Sequence, residues 1–193
     1  MSLLVWLPLN GNLDNWGSSP AKFSLVGSGI TTTNIGKTTA NAYQRNTANT
    51  GGYITSDINF TMSGDMTLAC WCKLTAVGSS GTANGIVTQH GHNTGGLGIT
   101  MKDISSTDFR ISANTGLYGD SHTGQTDRTF CTYYGRTNLY NAWHHLCITY
   151  QSSTKQLRMY VDGKLDADVV TLSGNNTTAR PLRLFDWSTD YSA

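Results

Sequence analysis

At 193 residues and a formal charge of +1, the chain has the length of a single domain and no electrostatic footprint for nucleic acid. Only 13% of its residues are charged, about half the usual share in soluble proteins, and Thr, Ser, Asn and Gly carry the polar load instead. That mixture favours strands joined by many turns, and no stretch sustains the 3.6-residue period of an amphipathic helix.

Leu3 to Leu9 alternates, with Leu3, Val5 and Leu7 on one face and Leu4 and Trp6 on the other, and reads as a first strand ending at an Asn10-Gly11-Asn12 turn. The same segment lacks a basic start and is interrupted by Pro8, so it is not a secretory signal. No stretch approaches the ~20 apolar residues of a membrane span. Phe23 to Val26 is a short strand, and the Thr- and Asn-rich run from Ile30 to Thr55 reads as short strands at a sheet edge. Phe60 to Leu74 contains the next strand, in which Trp71 takes the face opposite Cys70 and Cys72. Further strands are expected near Ile86–Gln89, Leu97–Met101, Phe109–Ser112, Val169–Leu172 and Leu182–Phe185. Asn114 to Asn141 reads as a long, strand-poor insertion, and loops beyond about 12–15 residues are often functional.

The clearest period-2 pattern runs from Trp143 to Leu165. Leu146, Ile148 and Tyr150 share one parity, and Leu157, Met159 and Val161 share another beyond the polar Gln151–Lys155 connection. This predicts an antiparallel hairpin, followed at Asp162-Gly163 by a second tight turn, since Gly accepts positive φ and Asp bonds its own backbone.

The Trp143-His144-His145 start, the polar turn and the run Leu157 to Leu165 resemble the signature of laminin-G-like domains. Leu4 to Gly17, Gly52-Tyr53-Ile54 and Met66 to Lys73 are similar to earlier strand motifs of that family, in versions found in phage and gut-bacterial proteins. The resemblance implies one domain over residues 1–193, all-β, folded as an antiparallel β-sandwich of the jelly-roll, concanavalin A-like type. Such domains close with a strand beside the N-terminal one. Here nothing follows Trp187 to Ala193, so the expectation is either a fragment or a closing C-terminal strand supplied from elsewhere in an assembly, with the open edge beside Leu3–Leu9 meeting another copy or another virion protein.

The superfamily hosts lectins, hydrolases and structural modules, so chemistry must decide among them. Its glycoside hydrolases use an E-x-D-x-E strand motif, whereas all 12 acids here are Asp. Retaining hydrolysis needs two carboxyls about 5 Å apart; the closest pair in sequence, Asp166 and Asp168, flanks a turn. No nucleophile elbow, phosphate loop or dinucleotide fingerprint is present. The cysteines (Cys70, Cys72, Cys131 and Cys147) lack zinc-knuckle spacing; they read as buried thiols, with one disulfide as the alternative. Calcium, common in the superfamily, would fall to Asp120, Asp127 and Asp186, but no two acids stand at a calcium-loop spacing and no cofactor is expected.

Sugars are held by rings stacking on apolar C–H faces and by planar polar groups that bond hydroxyls directionally. Tyr118, Asp120, His122, Tyr133, Tyr134 and Arg136 in the long insertion have that chemistry, and His90 and His92 lie in a nearby loop. The expectation is a non-catalytic, lectin-like module binding a glycan such as a bacterial surface polysaccharide, as part of a phage virion or tail. Without a signal it would be made in the host cytoplasm and released by lysis. The alternative is a virion decoration or fibre component that uses the sandwich for protein contacts.

Overall fold

The structure is a computed structural model that describes residues 3–34, 36–37, 41–45, 52–61, 64–73, 83–89, 97–103, 109–115, 131–135, 141–165, 169–171 and 179–186. Among the described residues every regular element is a strand. The larger sheet runs in the order β1 (Phe23–Val26), β4 (Tyr53–Thr61), β14 (Ala179–Leu184), β6 (Ala83–Thr88), β7 (Leu97–Asp103), β8 (Phe109–Thr115) and β9 (Cys131–Gly135). The smaller sheet runs β12 (Lys164–Leu165), β11 (Gln156–Val161), β10 (Trp143–Gln151) and β5 (Met66–Lys73), with β13 (Val170–Thr171) also on β11. The short strands β2 (Ile30–Thr33) and β3 (Ala42–Arg45) pair with each other, and every pairing is antiparallel. The sandwich is not closed: β1 and β9 end the larger sheet among the described residues.

The predicted hairpin is β10–β11, in register from Leu146 opposite Val161 to Gln151 opposite Gln156. Its period-2 pattern is physical: Leu146, Ile148, Leu157 and Met159 are fully buried, and burying each such side chain contributes roughly 1.5–3 kcal/mol. Both Asp162 (φ 51) and Gly163 (φ 78) are left-handed, as the two central residues of a type I′ turn must be, so β12 follows directly. In the other layer Phe23, Ile54, Val87, Leu182 and Leu184 form the core, against which Leu68 and Cys70 of the smaller sheet pack.

Two expectations need correction. Leu3–Leu9 is not a ladder strand. It keeps the predicted alternation only from Leu4 onward: Val5 and Leu7 pack on the core with Leu9 while Leu4 and Trp6 are about half exposed, but Leu3, expected on the face of Val5 and Leu7, is exposed too. Its partner, however, is the irregular segment 15–19: Trp6 O accepts from Trp16 N (2.9 Å), and the Asn15 carboxamide oxygen accepts from Trp6 N (3.0 Å) and Gly17 N (2.9 Å). Pro8 offers no N–H and Leu9 turns to φ 55, so regular pairing stops there. Residues 114–141, expected to be strand-poor, nonetheless carry sheet: β8 continues to Thr115, and Cys131–Gly135 is β9, paired along β8. Its Cys-Thr-Tyr-Tyr run suits a strand, but five residues are too few to give an alternation to read.

Candidate functional site

The smaller sheet has one dry face and one wet one. Along β5, Met66, Leu68, Cys70 and Cys72 point inward, while Thr67, Ala69 and Trp71 are exposed. On β10 the inward set is Leu146, Ile148 and Tyr150, leaving His145, Cys147 and Thr149 outward; on β11, Arg158 and Tyr160 are outward. Directly opposed residues share a face, so the ladder assembles an outer row: Lys73 opposite Trp143, Trp71 opposite His145, Cys147 between Ala69 and Tyr160, and Thr149 opposite Arg158.

Trp71 is the centre of that row. It remains 49% exposed, its ring lies 5.2 Å from the His145 ring at a tilt of 54°, and the Lys37 ammonium stands 4.5 Å from its centroid. Lys37 comes from the connection between β2 and β3, so that hairpin delivers a cation to the outer face. The ring quadrupole attracts it, an interaction worth about 0.5–1 kcal/mol at an exposed position.

Beside this row, Asp162 anchors the β11–β12 turn to β10. Its carboxylate meets His144 Nδ1 at 2.7 Å and accepts from His145 N at 2.9 Å, while its own N–H donates to His145 O at 2.9 Å. Partial burial raises the Asp162 pKa, but the His144 imidazole, the His145 amide and their charges outweigh it and hold the carboxyl below the usual range. His144 Nε2 is buried without a hydrogen-bond partner among the described residues. At the opposite end of the sheet, Asp65 accepts both the N–H and the hydroxyl of Ser152 at 2.7 Å, which lowers its pKa.

Cys70, Cys72 and Cys147 are free thiols. Burial, followed by the neighbouring Cys72 and Cys147, pushes Cys70 well up; burial and the Asp162 carboxylate push Cys72 to about 12. Both shifts favour the protonated thiol, and among the described residues no three His, Cys, Asp or Glu side chains converge on a metal position. Asp186, a conceivable calcium ligand, is buried and bonded to Arg183 at 2.9 Å.

Of the ligand-binding residues expected from the sequence, Tyr133 and Tyr134 lie on β9, in register with Ile111 and Arg110 of β8. Tyr118, Asp120, His122, Arg136, His90 and His92 lie outside the described residues, as do Asp127, Asp166 and Asp168. The sequence reading did not select Trp71, His145 and Lys37. Parity alone placed Trp71 opposite the cysteines; only the pairing of β5 with β10 sets it beside His145, and no local pattern links Lys37 to either.

A laminin G family model, of the concanavalin A-like lectin/glucanases superfamily, matches residues 46–189. No curated protein matches by sequence. Among solved structures, the chain is similar to the enzymatically active domain of tailspike protein 2 of bacteriophage CBA120 (12% identity, TM-score 0.56, 88% of this chain and 26% of that one). It is similar also to the Emp47p carbohydrate recognition domain (11%, TM-score 0.54, 96% and 86%). A third likeness is to the legume lectin-like domain of Entamoeba histolytica (10%, TM-score 0.51, 84% and 81%). The chain thus spans about a quarter of the tailspike and most of each lectin domain. At these identities the likenesses show a shared fold: an antiparallel, lectin-type β-sandwich. With three quarters of its length matched, the chain belongs to the laminin G family of the concanavalin A-like lectin/glucanases superfamily.

Proposed function

We propose that this chain is a non-catalytic carbohydrate-binding module, carried on a phage virion or tail and directed at bacterial surface glycans. The observation that carries the reading is the half-exposed Trp71 with His145 and Lys37 beside it on the outer face of a lectin-type sheet. A flat indole offers a stacking surface for sugar C–H groups at low entropic cost, and the flanking polar heads supply direction. Tyr118, Asp120, His122, Tyr133, Tyr134, Arg136, His90 and His92 enter the proposal on their side-chain chemistry. The absence of Glu speaks against the superfamily's usual hydrolytic motif. Likeness to a tailspike and to a carbohydrate recognition domain supports the context.

The test is a bacterial glycan array probed with the intact chain. Capture on a subset of polysaccharides, reduced by Trp71→Ala, is expected; no capture, or hydrolysis of the bound glycan, contradicts the reading.

A specific observation favours a second reading, that of an interaction module. Leu3, Leu4, Trp6 and Trp16 are all more than half exposed, with the two indoles edge to face at 5.8 Å, and Leu25 and Val26 are exposed on end strand β1. Apolar side chains left in water in such number mark protein contacts. In this reading the chain self-associates or docks on another virion protein, and light scattering decides: a clean monomer on dilution, with no partner captured, counts against it.

A further inference from the structure

The outer face of the smaller sheet is one-sided in charge. Lys73 and Arg158 occupy outward strand positions, Lys37 reaches in over Trp71, and His145 sets an imidazole beside the indole. No described strand residue on that face is acidic. Among the described residues of the flanking turns, Asp65 and Asp162 carry carboxylates, bonded to Ser152 and to His144 and His145. The chain as a whole is close to neutral, at +1, so this imbalance is local rather than a reflection of bulk charge.

We infer that the glycan this face takes is acidic, a polysaccharide bearing carboxylate or sulfate groups; the inference rests on the carbohydrate-binding reading and names its ligand class. Trp71 supplies the stacking surface, and the anionic group of the sugar meets the Lys37 ammonium that now rests on the ring. A lysine head on a four-carbon stem can leave the ring for an anion without moving the backbone. Arg158, two strands away on β11, is positioned for an anion further along the polymer. An interface of this kind weakens as salt screens the exposed charges.

The experiment is titration calorimetry of the full chain with four polymers: polygalacturonate, its carboxyl-reduced neutral form, dextran sulfate and dextran. The expected result is that at least one acidic polymer binds ten times more tightly than its neutral counterpart; which one identifies carboxylate or sulfate as the anion. Lys37→Gln is expected to cut that preference several-fold and to lessen its salt dependence. Trp71→Phe, which keeps a ring on the exposed position, is expected to retain more affinity than Trp71→Ala. Equal binding of neutral and acidic polymers overturns the inference and leaves the lectin reading intact, as does acid-selective binding indifferent to Lys37→Gln. Failure to bind any of the four while a neutral glycan is captured on the array overturns the inference alone. No binding on either overturns both.

Discussion

Ser56 does a job that no local pattern announces. β14 runs between β4 and β6, yet contains Pro181, which has no N–H to give, and the register with β4 shifts between Pro181 and Arg183. At that irregularity Leu182 N donates to Ser56 Oγ at 2.9 Å, and the hydroxyl in turn donates to Ile58 O at 2.7 Å. Ser56 is buried, so Ser56→Ala strands an N–H away from water and should destabilise the fold by about 1–3 kcal/mol. A lower urea midpoint at unchanged slope is the expected readout. The thiols make a second residue-scale prediction. With Cys72 raised to about 12 and Cys70 well up, both should resist iodoacetamide at pH 8 in the folded protein and react on denaturation, as peptide mass spectrometry would show. Rapid alkylation of either in the native state would contradict the packing described.

At the scale of elements, the β10–β11–β12 unit is held by its turns. Gly163 has open space around it but sits at φ 78, so Gly163→Ala costs only the left-handed strain, about 1–2 kcal/mol, measurable as a drop in thermal midpoint. The acid side of the stability curve belongs to the same turns. Asp65 and Asp162 both have depressed folded-state pKa values. A depressed carboxyl contributes stability that is fully present above its unfolded pKa, about 3.9, and is lost as pH falls through the lower folded value. Urea midpoints measured from pH 6 to pH 2.5 should therefore fall more steeply for the native chain than for a D65N/D162N variant. Parallel curves would show that these carboxylates do not clamp the turns.

For the whole molecule, the sequence carried the layers further than the site. Period-2 alternation is a property of neighbouring residues, so the hairpin from Trp143 to Leu165 and the inward and outward faces of β5 were legible without coordinates. β9 was hidden because it is too short to alternate, and the first segment was misread because its partner is the irregular segment 15–19, through backbone groups and the Asn15 side chain, not a strand. The Trp71, His145 and Lys37 row was not legible for a different reason. It joins residues from three elements through an antiparallel register that only folding fixes. The exposed Trp6–Trp16 pair poses the opposite problem, since exposed aromatics are as fit for a protein partner as for a sugar. Which aromatic face holds the ligand therefore decides between the two readings of the molecule.

The chain has five tryptophans, and in an isotope-labelled sample each indole N–H gives its own signal, assignable by Trp→Phe substitution. Titrating the polysaccharide captured on the array into that sample should move the Trp71 signal and leave those of Trp6 and Trp16 in place. A Trp71 signal that stays fixed while the ligand binds, or shifts confined to Trp6 and Trp16, would contradict the account.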